Sequence, residues 1–151
     1  MKVIPQYQTR WIVAHDHADV LRIDRACYPE GARLRPSDLD EMTRRHIGCL
    51  TFDERERTTG YSIYGLSDDC IQLLRIGVAP AYRRCGYGST LVNRLKRRVI
   101  STIIKRKRVE ALVDGRQVAC QLLLSKCGFI GSPVPNTDTI RFRYTLDMEG
   151  F

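Results

Sequence analysis

The sequence lacks paired cysteine spacings, clustered histidines and apolar runs of membrane length. Six cysteines occur among 151 residues, but none form C-x-x-C, and His15, His17 and His46 lie far from most of them. This distribution argues against a zinc site and against a disulfide framework, so we expect no metal. The N-terminus has no apolar core of the kind found in signal peptides, and no apolar run could span a bilayer. We therefore expect a cytoplasmic protein without membrane contact.

The most informative stretch is Leu73–Val92, where an apolar run ends before Pro80 and a basic segment with two glycines follows. This order predicts a strand, a tight turn and the first turn of a helix. A helix start of this kind is an anion site, because its first backbone N–H groups have no partner within the helix. Gly86 and Gly88 allow a phosphate to approach the backbone, and the Arg83-Arg84 pair adds positive charge.

Two common phosphate-binding motifs do not fit this stretch. The dinucleotide fingerprint requires a third glycine, which is missing at the required spacing. The Walker phosphate loop ends in Gly-Lys-Ser/Thr, which is also missing. The stretch therefore predicts an anion site of another type.

Apolar periodicity and turn residues predict one domain over residues 1–151, with six strands and four helices. Asp16 and Ser37 are the expected N-caps of the first two helices, and residues 131–136 are expected to form an irregular loop. The apolar positions of the fourth helix are expected to be Val118, Leu122 and Leu123. The predicted strands are Tyr7–Ala14, Ile47–Phe52, Thr58–Leu66, Cys70–Val78, Val109–Val113 and Thr139–Leu146, and the helices are Asp16–Ala26, Ser37–His46, Gly86–Lys105 and Gln117–Lys126.

The run Arg75–Gly88 resembles, without a break, the acetyl-CoA signature of the GNAT N-acetyltransferase superfamily. The predicted order β-α-α-β-β-β-α-β-α-β is similar to that of the family, as is Lys126–Phe129 to its closing Leu-Gly-Phe. The resemblance implies an α+β (α/β) fold, with a central mixed, mostly antiparallel sheet of six to seven strands flanked by about four helices. Arg25–Glu30 is similar to the substrate-side loop of the subgroup that acetylates protein N-termini, including ribosomal proteins.

The resemblance also implies how acetyl-CoA binds. Backbone N–H groups from Arg84 to Ser89 would hold the pyrophosphate, and the main chain at Ile76 and Val78 would pair with the pantetheine. The strand of Ile76 would splay from the strand of Val113 to admit the coenzyme, and an N–H near Val78 would polarise the thioester carbonyl. The implied cofactor-binding residues are Ile76, Gly77, Val78, Arg83, Arg84, Cys85, Gly86, Tyr87, Gly88, Ser89 and Gln117, the last in place of the family's asparagine.

The acid and base of the related enzymes are missing. Leu124 stands where the protein-acetylating subgroup has the tyrosine that protonates the leaving thiolate, and Leu112 stands where it has a Glu or His base. Another branch has a basic Glu where this chain has Gln72. Without a phenol at position 124, the thiolate must leave unassisted, take a proton from water, or use Tyr28 or Tyr144.

Glu110 is the candidate catalytic base. It lies two residues before Leu112, so both side chains point to one face of the strand, and Glu110 could act through a water. Its competing interpretation is a surface carboxylate that neutralises Arg108 or Lys107. Cys85 would be a nucleophile only if the helix end lowered its pKa, and we expect it merely to fill space.

These residues predict an N-acetyltransferase that moves acetyl from acetyl-CoA to a primary amine. The acceptor is either a protein N-terminus or a small polyamine-like metabolite. The alternative is a non-catalytic acyl-CoA-binding or ribosome-associated module on the same fold. The missing tyrosine and glutamate favour this alternative, whereas the intact motif favours coenzyme binding under both interpretations.

The excess positive charge is concentrated in Arg94–Arg98 and Lys105–Arg108, within a formal net charge of +8. A solvated helix face explains these clusters most simply. Attraction for the polyanionic coenzyme, or contact with nucleic acid or the ribosome, are the other interpretations. No aromatic residues interleave the clusters, which weakens a platform for single strands.

Changing Lys105 and Lys107 to Glu is expected to weaken association with the coenzyme or partner at low salt and to matter little at high salt. The physical reason is that salt screens exposed charges beyond a Debye length of about 10 Å at 0.1 M. Titrations at two salt concentrations measure this. A large loss that persists at high salt would instead indicate a direct, specific contact.

Overall fold

The computed structural model describes residues 9–101 and 107–145 of the chain, without the side chains of residues 100 and 101. Over these residues it contains seven strands and four α-helices. They are β1 (Thr9–Trp11), α1 (His17–Cys27), α2 (Pro36–Arg45), β2 (Ile47–Phe52), β3 (Thr58–Leu66), β4 (Cys70–Val78), α3 (Tyr87–Ser101), β5 (Arg108–Asp114), α4 (Val118–Lys126), β6 (Ile130–Pro133) and β7 (Thr139–Thr145). None of these described helices is long and apolar enough to cross a membrane.

The strands form one mixed sheet in the order β1-β2-β3-β4-β5-β7-β6. The pairs β1–β2, β2–β3, β5–β7 and β6–β7 are antiparallel, and β4–β5 is parallel. The parallel ladder runs from Cys70 opposite Arg108 to Leu73 opposite Ala111, so the last five residues of β4 lie beyond it. The predicted mixed, mostly antiparallel sheet of six to seven strands with about four helices is confirmed.

The chain divides into two compact units. The first unit contains the chain up to Tyr64 together with Arg75–Leu91, and the second contains Gly65–Leu74 together with the chain from Val92. Both β4 and α3 therefore contribute residues to each unit, and the units are described separately below.

The core of the first unit lies between α1, α2 and the adjoining strands. Val20 and Ile23 of α1 recur at a spacing of three residues, which places them on one helix face. They pack with Leu39 of α2, Leu50 of β2 and Tyr61 of β3, all at most 1% exposed. Burial of each such side chain contributes about 1.5–3 kcal/mol, so this cluster is the main stabilising element of the unit.

The core of the second unit follows the alternation of β5. Val109, Ala111 and Val113 are buried, and the residues between them face the other side of the sheet. On α4, Leu124 is fully buried, whereas Val118 and Leu122 are 58% and 67% exposed. Two of the three apolar positions named from the sequence, Val118 and Leu122, therefore do not mark the buried side of α4. This helix is apolar on several sides, so its periodicity does not select the side that packs.

Asp16 lies at the N-cap of α1, as predicted, but its side chain makes no capping bond, and the predicted Ser37 cap of α2 was wrong. The Asp16 carboxylate accepts the Val13 N–H at 2.9 Å and pairs with Arg10 at 2.6 Å, making no cap bond to α1. Helix α2 starts at Pro36, two residues earlier than a Ser37 cap requires, and Asp38 accepts the N–H of Arg35 at 2.9 Å. Proline suits the first helical position, because its φ is preset and no N–H is needed there.

The predicted loop after α4 contains strand β6, which pairs with β7 from Ile130 opposite Arg143 to Pro133 opposite Ile140. Its four residues are all exposed and include a glycine and a proline, so neither propensity nor alternation marks a strand. Pairing with β7 supplies the missing stabilisation. The ends of the predicted strands and of the third helix at residues 7, 8, 102–105 and 146 lie outside the described residues.

Candidate functional site

The segment that follows β4 is anchored by two tyrosines. A turn at Pro80–Tyr82 leads from the strand, and the Tyr82 hydroxyl donates to the Asp53 carboxylate at 2.9 Å. The Tyr82 and Tyr87 rings pack edge to face with centroids 6.0 Å apart. Desolvation opposes ionisation of Asp53, but donors from Arg57, Tyr82 and Arg55 outweigh it and lower the Asp53 pKa to about 2. The turn is therefore tied to the β2–β3 connection by a charged carboxylate.

Between the two tyrosines, the backbone twice adopts the left-handed conformation. Arg84 has φ 63° and Gly86 has φ 91°. Only glycine accepts such a φ without a steric penalty, which explains Gly86, while Arg84 is a strained residue of the kind found at binding sites. The side chains of Arg83, Arg84 and Cys85 are exposed. Cys85 thus lies on the surface, where its thiol donates weakly to the Arg83 carbonyl at 3.6 Å.

Helix α3 begins at Tyr87, immediately after Gly86. The first N–H that bonds within the helix is that of Thr90, which donates to the Gly86 carbonyl at 3.0 Å. Earlier N–H groups, including those of Gly88 and Ser89, are the ones that a helix start leaves without helical partners. Together with the two exposed side chains of Arg83 and Arg84, they give this helix start the charge and hydrogen-bonding groups of an anion site.

The end of β4 has one edge that faces away from β3. The Ala79 N–H donates to the Thr59 carbonyl at 2.8 Å, so the peptide groups of Ile76 and Val78, which alternate with it, point the opposite way. The Ile76 carbonyl accepts the Tyr28 hydroxyl at 3.0 Å. The Val78 carbonyl accepts Cys27 Sγ and Arg83 Nε, both at 3.3 Å. Side chains, rather than a neighbouring strand, therefore supply these bonds.

A buried carboxylate on α1 lies behind this edge. Asp24 is 0% exposed and accepts Arg75 Nε at 2.8 Å, Arg75 Nη2 at 3.1 Å and the Leu34 N–H at 2.8 Å. The Tyr61 hydroxyl also donates to it. Burial, followed by the charge of Asp24, raises the pKa of Tyr61, so this phenol remains a donor. Every bond to Asp24 comes from within the first unit and helps to fix the α1–α2 connection.

Arg75 extends this network to Tyr28. Its guanidinium carbon lies 3.6 Å from the centroid of the Tyr28 ring, and its Nη2 also donates to the Ala32 carbonyl. Burial disfavours the charge, but the hydrogen bonds to Asp24 outweigh it and raise the pKa of Arg75. Sequence reasoning missed both residues of this ion pair. The available signal was Asp24 itself, an acidic residue four positions after Val20 on the buried face of α1.

In the second unit, Glu110 lies between two arginines. Its Oε1 accepts Arg108 Nε at 2.9 Å and Arg143 Nε at 3.0 Å, and its side chain is 19% exposed. Leu112, two residues later, points to the same face and is 63% exposed, as the strand alternation predicts. Gln117 directly precedes α4, and its N–H donates to the Asp114 carbonyl at 2.9 Å. These two predicted site residues therefore lie in a different unit from the glycine segment.

The other position of interest in the second unit is the end of α4. Leu124 is fully buried, and its carbonyl accepts the N–H groups of Cys127 and Phe129. Tyr144 packs on Phe129 with centroids 5.7 Å apart, while Lys96 Nζ lies 4.4 Å from the Tyr144 ring centre. The Tyr144 ring therefore makes structural contacts with both Phe129 and Lys96.

Comparison with family models gives a match to the acetyltransferase (GNAT) family over residues 17–129. The match includes α1, the Asp24–Arg75 pair, the glycine segment and α4. It covers well over half of the 151 residues. The chain belongs to the GNAT acetyltransferase family. No curated protein sequence matches it.

Solved structures show the same GNAT fold at low identity. The phosphinothricin acetyltransferase of Sinorhizobium meliloti in complex with AcCoA is 17% identical, with TM-score 0.71 over 91% of this chain and 87% of that one. The ribosomal-protein-S18-alanine N-acetyltransferase of Escherichia coli is 14% identical, with TM-score 0.72 over 95% and 97%. The spermidine N-acetyltransferase of Vibrio cholerae with CoA and spermine is 16% identical, with TM-score 0.67 over 91% and 94%.

Two of these neighbours were solved with a coenzyme bound, AcCoA in one and CoA in the other. The glycine segment fits this group, because Gly86 has a left-handed φ of 91° and leaves the exposed backbone before α3 without a Cβ. In the described part of the chain, no group of three or more His, Cys, Asp or Glu side chains could hold a metal ion.

Proposed function

We propose that this GNAT protein transfers the acetyl group of acetyl-CoA to a primary amine, either a protein N-terminus or a small polyamine-like molecule. The observation that carries the proposal is the continuous segment of the first unit from the open edge of β4 to the start of α3. It offers peptide groups that face away from β3, a left-handed glycine and the first N–H groups of a helix, in chain order. Acetyl-CoA has matching groups in the same order, because the amides of its extended pantetheine arm lie between the thioester and the pyrophosphate.

The roles proposed within this segment are those that the family resemblance implies, and its geometry supports them. The N–H groups from Arg84 to Ser89 bind the pyrophosphate, with the exposed Arg83 and Arg84 side chains adding charge. The main chain of Ile76 and Val78 binds the pantetheine arm, and an N–H near Val78 polarises the thioester carbonyl. Gly77 admits no side chain, because a Cβ there would lie 2.8 Å from the Tyr61 ring. Tyr87 contributes only its backbone, since its ring is buried against Tyr82.

The acceptor must lose a proton before it attacks. An alkyl amine of pKa about 10.4 is almost fully protonated at neutral pH, and an α-amino group of pKa about 7.7–8.0 is mostly protonated. Deprotonation is therefore part of the barrier for both acceptor classes. The two acceptor classes are both represented among the structural neighbours, by an enzyme for a ribosomal protein and by an enzyme for spermidine. Release of free CoA thiol, measured with a panel of N-terminal peptides and of polyamines, tests the proposal and separates the classes.

Glu110→Gln is expected to lower turnover about 10-fold, below the 10²–10⁴ usual for a well-placed general base. The reason is that its carboxylate is engaged by two guanidinium groups and would act only through a water. Steady-state kinetics with an accepted amine measures the effect.

Arg143→Gln is the matched control for Glu110, since it removes one ion-pair partner and keeps the carboxylate. An equal loss in both variants would assign Glu110 to structure, and a loss above 10⁴-fold in Glu110→Gln alone would make it the main base. Unchanged turnover in both would return Glu110 to a surface role.

A non-catalytic acyl-CoA-binding or ribosome-associated module is the second candidate, favoured by the leucines at positions 112 and 124. Both candidate functions use the same coenzyme segment, so both predict that the protein binds acetyl-CoA. The two candidates differ only in turnover. Acetyl-CoA binding in calorimetry, without CoA release for any peptide or polyamine, would favour the module.

A further inference from the structure

Tyr28 lies in the connection between α1 and α2, and its hydroxyl donates a hydrogen bond to the Ile76 carbonyl at 3.0 Å. This carbonyl belongs to the β4 edge that we assign to the pantetheine arm. The position from which related enzymes supply a phenol is occupied by Leu124, which has no proton to give. The same protein therefore has a phenol hydroxyl bonded to the strand that we assign to the coenzyme and a leucine at position 124.

We propose that Tyr28 is the catalytic acid that protonates the departing thiolate of coenzyme A, and that Asp24 and Arg75 are positioning residues that hold it at β4. This inference rests on the proposed acetyl transfer. It adds to that proposal a proton donor and the buried ion pair that orients the donor.

The other phenols described in the first unit have different partners. Tyr61 donates to the buried Asp24 carboxylate, and Tyr82 donates to Asp53. Tyr64 is 4% exposed, and the Tyr87 ring is 9% exposed against Tyr82. Tyr28 is only partly buried and directs its hydroxyl to the strand edge. Of these tyrosines, it is therefore the one placed to meet a ligand on β4.

The proton balance of the step is complete without a further reagent. The neutral amine forms the new C–N bond to the acetyl carbon, and the C–S bond breaks with its electron pair going to sulfur. The thiolate takes the Tyr28 proton, which leaves CoA thiol and a phenolate. The phenolate then takes, directly or through water, the surplus proton of the acetylated nitrogen. Tyr28 is thus restored, and the products are the amide and CoA thiol.

Arg75 suits the positioning role for two physical reasons. Its planar guanidinium is held on Asp24 by two bonds of 2.8 and 3.1 Å, while its face covers the Tyr28 ring at 3.6 Å. A ring clamped in this way cannot swing away from β4. The fixed positive charge also stabilises the phenolate that remains after proton transfer. Asp24, buried and bound by four donors, keeps the guanidinium in place.

The first test is Tyr28→Phe, which retains the ring on which Arg75 stacks and removes only the hydroxyl. We expect kcat to fall about 100-fold, the lower range for a general acid, with acetyl-CoA affinity and acceptor KM nearly unchanged. The selenium analogue of acetyl-CoA supplies a readout that a structural role would not move. A selenol is a stronger acid than a thiol, so its anion leaves with less need of a proton. With the selenium analogue, the loss of kcat in Tyr28→Phe should therefore be at least several-fold smaller than with acetyl-CoA. Thermal melting confirms that the variant is folded.

The second test is Arg75→Lys, which retains the charge and loses the planar fork. Alone it is expected to lower kcat about 10-fold, an order of magnitude below the loss expected for the acid itself. In the Tyr28→Phe background it should lower kcat no further, because a positioning residue has no effect once the group it positions is gone. Additive losses would overturn the positioning role.

Other outcomes also overturn the inference. A raised acceptor KM at unchanged kcat in Tyr28→Phe would make Tyr28 a binding residue, and an equal deficit with both donors would exclude proton donation. A loss in Tyr144→Phe in place of Tyr28→Phe would assign the acid to Tyr144. Failure of the proposed function is distinct, because then the wild type itself releases no CoA with any amine.

Discussion

Gly88→Glu is expected to reduce affinity for acetyl-CoA at least about 100-fold, since two like charges about 4 Å apart repel by about 4 kcal/mol at an effective dielectric constant of 20. Gly88 is buried in the first turn of α3, among the N–H groups that we assign to the pyrophosphate. A glutamate there occupies the seat and adds a negative charge opposite a polyanion. Its charge suits the helix start by about 0.3–1 kcal/mol, so α3 itself should persist. Calorimetric titration with acetyl-CoA measures the loss.

Asn93→Glu is the matched control for this substitution, because it adds the same charge to an exposed position farther along α3. It should change acetyl-CoA affinity about 3-fold or less at 0.1 M salt, where charges more than about 10 Å apart are screened. Thermal melting of both variants separates binding from folding. Tight binding retained by folded Gly88→Glu would contradict the assignment of the coenzyme to this segment.

The glycine segment could be predicted from sequence because its structure is determined locally. An apolar strand, a proline, two arginines and two glycines specify a turn and a helix start with little help from the rest of the chain. The structure adds one feature that the sequence analysis did not include, the left-handed φ of 91° at the exposed Gly86. The family resemblance then supplied the strand order, which local patterns alone do not determine.

The features that sequence reasoning missed depend on tertiary contacts. Asp24 and Arg75 are 51 positions apart, and each resembles an ordinary charged surface residue when read along the chain. Strand β6 is stable only as the partner of β7, and the packed side of α4 is chosen by what surrounds it rather than by its periodicity. In each case the physical cause is a neighbour that is distant in sequence, and a prediction from a short stretch of sequence does not include that neighbour.

Arg75→Met is expected to lower the free energy of unfolding by about 3–5 kcal/mol, the usual cost of leaving one charge of a buried pair without its partner. Asp24 is 0% exposed and would lose two charge-assisted bonds. The Leu34 N–H and the Tyr61 hydroxyl would remain, but both are neutral donors. Urea denaturation measures the change. Arg116→Met is the matched control, because its bidentate pair with Asp114 is 81% and 41% exposed and should contribute at most about 1 kcal/mol.

Asp24→Asn combined with Arg75→Met tests whether the uncompensated charge is the cause. Asparagine keeps an oxygen for the two remaining donors and removes the charge, so the double variant should regain at least half of the lost free energy. Removing both members of a buried ion pair is commonly far less costly than removing one, because no uncompensated charge is left behind. A double variant as unstable as Arg75→Met would show that the methylene stem and stacked guanidinium of Arg75, through packing on Tyr28, stabilise the unit more than its charge does. If Arg75→Met is no less stable than Arg116→Met, then Asp24 obtains enough from Tyr61 and Leu34, and the ion pair is retained for the orientation of Tyr28 rather than for the stability of the fold.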